Sequence, residues 1–420
     1  MSIAIPYGQK FIAWNPPANV NPEILYLKDA PAAKDQLEEV RKAIENPIGS
    51  KRLEDFEGIQ SVAIAIADLT RPVPHKTILP PIIEKLEKNG VKPDNITLIV
   101  GTGLHRVSTE DEWEQLVGKE VLNKVNIISH NAEDSDLQVN LGVTSKGTPV
   151  EINKHYAEAD LKIVVGMIDP HQFEGFTGGA KGLAIGLGSE RLITANHSML
   201  TDENSILGQV EGNPAREDLD EVGKIAGIDF IVNVVLNDHK EIVKAVAGDF
   251  IKAHREGVRI AREIVEVPVS GEVDIVITSP GGFPKDLNVY QAQKALAHAS
   301  LVVKKGGVII LTAECREGVG EEKFLKTMAE SATPQELMDK FRKREFEMGV
   351  HKAFLWCRSL AKAHTILVSD YIDGKTSKIL MVQKCRTLEE AFTEACKKIR
   401  TDSPKVAVMP KASSTIPVQG

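Results

Sequence analysis

The sequence predicts an α/β protein of two domains, each a mainly parallel sheet flanked by helices. Apolar, β-branched runs bounded by turn residues alternate with amphipathic stretches, the pattern left by crossover-connected parallel strands. At roughly 100 to 200 residues per domain, 420 residues exceed what one core organises. Several of the apolar runs also stop where polar residues begin, and the carboxyl ends of strands are where open α/β sheets bind their ligands.

In chain order, the expected strands cover residues 61–68, 96–101, 125–129, 162–168, 230–236, 273–279, 308–312, 365–369 and 406–409. Residues 84–89 close a helix ahead of Gly90, and 250–265 form a longer one with Asp249 as its N-cap. Thr333-Pro334-Gln335-Glu336 and Thr387-Leu388-Glu389-Glu390 read as capping boxes, in which threonine and glutamate satisfy first-turn amides reciprocally. The stretch Val267-Pro268-Val269-Ser270-Gly271 separates a long helix from a fresh strand, so the domains are expected over 1–267 and 272–404. The tail, 405–420, is left either to lie over the surface or to return to the first domain.

Composition narrows the class. With 42% hydrophobic and 26% charged residues the chain falls in the globular range, away from disorder. Its 51 basic against 59 acidic side chains give a net charge of −8, which argues against wrapping nucleic acid by phosphate neutralisation. The first 14 residues show no basic segment ahead of an apolar one, and no run of about 18 apolar residues occurs, so neither a leader nor a membrane span is expected and the location is read as cytoplasmic. Cys315, Cys357, Cys385 and Cys396 lack CxxC spacing, which indicates neither a disulfide framework nor a thiolate zinc site.

Four segments carry chemistry. Asp68-Leu69-Thr70-Arg71-Pro72-Val73-Pro74 follows the 61–68 strand. The guanidinium of Arg71 offers a fork that matches a carboxylate or phosphate, and the prolines restrict the backbone presenting it. The plainer reading is an Asp68–Arg71 loop ion pair. Gly101-Thr102-Gly103-Leu104-His105-Arg106 also follows a strand; its glycines admit close backbone approach and His105 can titrate near neutrality. Arg106 stands where a dinucleotide fingerprint needs its last glycine, so GxGxxG fails.

The third segment runs from Asp169-Pro170-His171 through Glu174 and Gly178-Gly179-Ala180-Lys181-Gly182 toward a helix reaching Asn196-His197-Ser198. Ala180 and Gly182 break the Walker A pattern on either side of the lysine. What remains is a glycine-cradled amine able to pair with phosphate or be modified covalently, and a histidine able to ligate a metal. The alternative leaves Lys181 solvated and His197 as a cap or core histidine. In the fourth, Ser279-Pro280-Gly281-Gly282-Phe283-Pro284-Lys285-Asp286 leads to a helix on which Tyr290 and Lys294 share one face, either lining a site or facing solvent. His155, His239, His254, His298 and His351 show no HxxxH or HExxH spacing and are read as mostly structural, and Trp356 as core.

Taken in order from Asp68 to Lys294, the four motifs resemble the nickel-pincer lactate racemase family, whose members carry DxTRPxP, GTGxHR, a histidine before GFxGGxK, a later histidine, and SPGGxPxDxxxYQxxK. The resemblance implies a racemase or epimerase of a 2-hydroxy acid, with the first domain binding the cofactor and the active site in an interdomain cleft. It implies nickel pyridinium-3,5-bisthiocarboxylic acid mononucleotide, covalently held by Lys181, with Asp68, Thr70 and the Gly178-Gly179 turn against it and His197 as a nickel ligand. His105 and His171 would be the two acid/base groups. Arg71 and Lys294 would hold the substrate carboxylate, with Tyr290 and Gln291 as neighbours. Hydride would pass from the substrate carbon to the pyridinium and back to the other face, avoiding a carbanion beside a carboxylate. Proteins that make and deliver the cofactor are implied as partners. Where the family commonly reads Pro-Gly after its lysine loop, this chain reads Leu183-Ala184-Ile185-Gly186. Two other readings compete: an NAD-dependent hydroxyacid dehydrogenase, which the failed fingerprint disfavours, and a non-catalytic carrier of the pincer cofactor, which the histidines disfavour.

Overall fold

The computed structural model describes residues 2–344, 346, 347 and 349–420. The chain divides into two compact units, one of Asp29–Ile264 and one of Met1–Lys28 with Val265–Gly420. The division differs from the one expected at residues 267–272, and the reason lies at the chain's two ends.

In the Asp29–Ile264 unit, six strands lie in the order Ile242–Gly248, Phe230–Leu236, Leu161–Met167, Val62–Ala67, Ile96–Gly101, Asn126–Ser129. All pairs are parallel except the first, an antiparallel hairpin edge. Pleating sends Val62, Ile64 and Ile66 into a core with Ile78, Leu79, Ile82, Ile83 and Leu86 of the helix His75–Lys88. Small residues, Ala63 and Ala65, lie between them in the strand, and the short helix Lys181–Ala184 packs on this sheet with Gly182 against Val164. The chain leaves Val62–Ala67 toward one edge and returns at Leu161–Met167 on its other side. That reversal makes a switch point, and a crevice is expected at the carboxyl ends of these two strands.

In the other unit the order is Gln383–Cys385, His364–Val368, Val303–Thr312, Val273–Thr278, Val406–Met409, Glu23–Ile24, all parallel. The N-terminal hairpin, Ile3–Tyr7 with Lys10–Trp14, buries Ile3, Ile5 and Trp14 in this unit's core, where Trp14 meets Phe392. Polar contacts lock it there: the Gly8 N–H donates to Asp286 Oδ2 at 2.6 Å and Ser279 Oγ donates to the Pro6 carbonyl at 2.6 Å. The expected tail is likewise internal. Val406–Met409 is a central strand beside Val273–Thr278, and Ile416–Gln419 pairs with Glu266–Val269.

Local expectations shift by small amounts. The helix Lys252–Val265 starts two residues later than expected, and Asp249 caps it as expected, its carboxylate taking the Ile251 and Lys252 amides at 3.2 and 2.8 Å. Thr333 and Thr387 cap the amides of Glu336 and Glu390 at 3.2 and 3.1 Å. Their glutamates reach past the cap to the Ala332 and Arg386 N–H, so neither is the reciprocal box. Thr109 with Glu112 does form one. All four cysteines are free thiols, and Trp356 is buried with its indole N–H on the Leu380 carbonyl at 2.8 Å. Among the described residues no helix is long and apolar enough to cross a membrane.

Candidate active site

Three of the four motifs emerge from three adjacent parallel strands of the Asp29–Ile264 unit, at their carboxyl ends. Asp68, just past Val62–Ala67, is 6% exposed. It makes no loop ion pair with Arg71; its Oδ1 accepts from Thr70 Oγ1 at 2.5 Å and its Oδ2 faces His105 Nδ1 at 2.7 Å. Burial resists ionisation of Asp68, but the bonds from His105 and Thr70 outweigh it and hold the carboxyl below its usual range. His105 is more than half exposed, so the carboxylate orients a ring whose other nitrogen remains available. The turn that presents His105 packs closely: Gly103, at φ +54°, has its N–H on the Gly186 carbonyl at 3.1 Å, and a Cβ there would lie 2.7 Å from the Ile185 carbonyl.

The Asp169–Lys181 loop is shaped by its own short strand pair, Pro170–His171 against Gly175–Phe176. Thr177 Oγ1 ties both ends, accepting from the Asp169 N–H at 2.9 Å and donating to the Met167 carbonyl at 2.8 Å. Glu174 is fully buried and its Oε2 accepts from Lys181 Nζ. Lys181 Nζ stands 3.2 Å from His171 Nε2, and His171 Nδ1 stands 3.4 Å from the same Glu174 oxygen. Burial pushes the Lys181 amine down to about 8; Glu174 works against that, and Arg71 and Arg216 reinforce it. Burial also drives His171 well below the ordinary histidine value, opposed by Glu174 and aided by Lys181, His197 and Arg71. Glu174 stays ionised: burial opposes its charge, but His171, Lys181 and Arg216 overcome that cost. The field of Arg71 at both His171 and Lys181 ties the first motif to the third.

His197 sits on the helix Glu190–Ser198, capped by Ser189 and anchored by Asn196 on Asp218 at 2.9 Å. The ring of Phe173 lies edge-on to both His171 and His197, at 4.7 and 5.1 Å between centroids. Burial, with Lys181, pushes His197 down to about 3, so it is a neutral imidazole. Among the described residues no three His, Cys, Asp or Glu side chains gather to hold a metal ion.

Residues outside the motifs support the loop. Arg216, with no exposed surface, donates to three loop carbonyls: Glu174 at 3.3 Å, Gly178 at 3.2 Å, and Phe176. His254 Nε2 meets the Thr177 carbonyl at 2.8 Å, and Asn233 Oδ1 accepts the Gly179 N–H at 2.8 Å. Gly178 has φ +84°, and a Cβ there would lie 2.8 Å from Asn233 Oδ1. Two signals could have found these partners. Asn233 interrupts the apolar run FIVNVVL, and Arg216 with Asp220 sits at i, i+4 on the buried face of Pro214–Ala226.

Tyr290, Gln291 and Lys294 lie in the other unit, on the helix Val289–Ala299, whose N-cap Asn288 accepts the Gln291 N–H at 3.0 Å. Tyr290 packs edge-on against Phe324 and under the Lys352 ammonium, 5.2 Å from the ring centre. Burial and Glu321 push its phenol up to about 12.

The sequence model described as "Lactate racemase N-terminal domain" matches residues 7–208, and "Lactate racemase C-terminal domain" matches 269–417. A lactate racemase of Thermoanaerobacterium thermosaccharolyticum is 35% identical over 423 aligned residues, covering 99% of each chain. A lactate racemase of Lactiplantibacillus plantarum is 35% identical over 386, covering 90% of each. The solved lactate racemase apoprotein from T. thermosaccharolyticum superposes with a TM-score of 0.92 at 34% identity over the whole of both chains. A Thermotoga maritima protein shares the fold alone, with a TM-score of 0.65 at 16% identity over 94% of this chain.

Proposed function

The chain belongs to the lactate racemase family, and from that premise we propose that it is an isomerase that inverts the hydroxyl-bearing carbon of a lactate-like 2-hydroxy acid, using a nickel-pincer nucleotide. The observation that carries this reading is the pair of histidines at the carboxyl ends of the two strands that flank Val62–Ala67, one oriented by Asp68 and one set against Lys181 and Glu174. Two proton-transfer groups are what racemisation requires, since each enantiomer presents its hydroxyl differently.

The residues present fit the nucleotide. His197 is buried and neutral, as a nickel ligand must be, and among the described residues no three His, Cys, Asp or Glu side chains gather around a metal position, which fits a pincer that brings three donors of its own. Lys181, with its amine near 8, is populated as the nucleophilic free base close to neutrality, as acylation at Nζ requires. When bound, the group supplies a hydride acceptor. The chain's own residues do the rest. Arg71 holds the substrate carboxylate by its guanidinium fork, and His105 or His171 takes and returns the hydroxyl proton. Asp68 keeps the His105 ring oriented, Thr70 keeps Asp68 in place, and Gly178-Gly179 lets the backbone approach the nucleotide closely. The motif match assigns Lys294, Tyr290 and Gln291 to the substrate as well.

The test is expression in a host that makes the nucleotide, followed by intact mass, nickel content and racemisation of a panel of 2-hydroxy acids. An adduct at Lys181, one nickel per chain and loss of optical rotation with at least one acid support the reading. Bound nucleotide without inversion of any acid favours a carrier, and net keto-acid formation with added NAD favours a dehydrogenase.

A further inference from the structure

One buried carboxylate in the site is left without a role by the motifs. Glu174 lies inside a closed triangle: its Oε2 is bonded to Lys181 Nζ and is 3.4 Å from His171 Nδ1, while Lys181 Nζ is 3.2 Å from His171 Nε2. The ammonium only donates, and the Glu174 backbone N–H already donates to His171 Nδ1 at 3.2 Å, so while Lys181 is charged both ring nitrogens face donors, an added proton on the ring is opposed, and the ammonium supplies the counter-charge that Glu174 needs. A fully buried carboxylate that loses its counter-ion is costly, and it draws a proton or a cation from the nearest source. Here the nearest group that can become that cation is the His171 ring, which does so by taking a proton from solvent.

We propose that Glu174 is a positioning residue shared in turn by Lys181 and His171: the Lys181 ammonium holds it in the unmodified chain, and once Lys181 becomes an uncharged amide Glu174 passes to His171 and makes that ring basic. This deepens the function proposed above, because it rests on Lys181 as attachment point and His171 as a proton-transfer group. Amide formation at Nζ, in which the deprotonated amine attacks a carboxyl or thiocarboxyl carbon and water or hydrogen sulfide leaves, removes a positive charge 3.2 Å from the ring and leaves a negative one 3.4 Å from Nδ1. Both changes favour the imidazolium, whereas burial, His197, Arg71 and the Glu174 N–H on Nδ1 oppose it before and after. Arg216, the other cation acting on Glu174, is already spent on three backbone carbonyls. The unloaded chain therefore keeps His171 neutral and capped, and loading is what arms it.

The experiment is a pH titration of the His171 ring by nitrogen-15 NMR in the full-length, cofactor-free protein, with the signal identified by its loss in His171→Asn. Wild type is expected to stay neutral across the pH range in which an ordinary histidine titrates. Lys181→Gln is expected to raise the midpoint by about one unit or more, and Glu174→Gln in the same chain to bring it back. Acetylation of Lys181 on the folded wild-type protein, quantified by peptide mass, repeats the test without a substitution. An identical His171 titration in wild type, Lys181→Gln and acetylated protein overturns the proposal, and so does a rise that survives Glu174→Gln. The readout needs neither nucleotide nor turnover, so absence of racemisation counts against the proposed function alone.

Discussion

Asp68 and His105 stand 37 residues apart on neighbouring strand ends and meet at 2.7 Å between Oδ2 and Nδ1. A charged acceptor on one ring nitrogen fixes the tautomer and orientation of a histidine that is otherwise exposed. Asp68→Asn should therefore lower kcat by about 10²- to 10⁴-fold, the range of acid/base contributions, and leave KM nearly unchanged. Steady-state racemisation kinetics on the loaded enzyme check this; a change confined to KM would assign Asp68 to binding instead.

Arg71→Lys keeps the charge and removes the fork. Charge-assisted bonds contribute about 1.5–3 kcal/mol, so kcat/KM should fall roughly 10- to 100-fold. Unchanged kinetics would contradict carboxylate recognition by Arg71.

Gly178 sits at φ +84° with Asn233 Oδ1 and Ile168 Cγ1 each 2.8 Å from where a Cβ would stand. Gly178→Ala should cost about 1–3 kcal/mol from backbone strain and crowding. A lowered melting temperature with a slower reaction of Lys181 toward an amine-acylating reagent is the expected pair of results, since the same loop carries both residues.

Arg216→Met removes three donors and leaves buried carbonyls at Glu174, Phe176 and Gly178 without them. At about 1–3 kcal/mol for each such loss this should be among the most destabilising single changes in the Asp29–Ile264 unit. Differential scanning calorimetry reads it, and Arg216→Lys, which can replace only part of the fork, should fall in between.

Acid should weaken both units through buried histidines. Burial pushes His75 and His298 down to about 4, although each ring has a nitrogen on a backbone carbonyl, Ala67 and Thr415 respectively. A depressed folded value means the unfolded chain binds the proton first, so this stability is complete above about pH 6.5 and declines as pH falls toward 4. Between pH 7 and 5 each histidine should cost on the order of 2 kcal/mol. Melting temperatures should drop over that interval, and His75→Gln and His298→Gln should each flatten the dependence.

The nine strands expected from the sequence all form, with no end shifted by more than one residue apart from Val303–Thr312, which starts earlier. So do the turns bearing Asp68, His105, His171 and Lys181. Both are legible because a β-branched run and the glycine or proline that ends it act through neighbours in the chain. Among the strands that went unread, Glu23–Ile24 and Ile416–Gln419 are short pieces whose pairing partners lie far along the chain, and Ile242–Gly248 is an edge strand. Gly8 finds Asp286 across 278 positions, so membership of residues 1–28 in the second unit had no local signature.

The chemistry divides the same way. Residue type and order by themselves determined the α/β class, the ligand-facing strand ends and the family's motifs, because side-chain functional groups and strand periodicity are properties of the local chain. Tertiary structure alone decided that Glu174 bridges Lys181 and His171, and that Arg216, Asn233 and His254 hold up the loop from 54 to 77 residues away or, for Arg216, about 40. Those roles exist only where folding removes water, for it is burial that makes an unpaired carboxylate or carbonyl costly enough to dictate its partner.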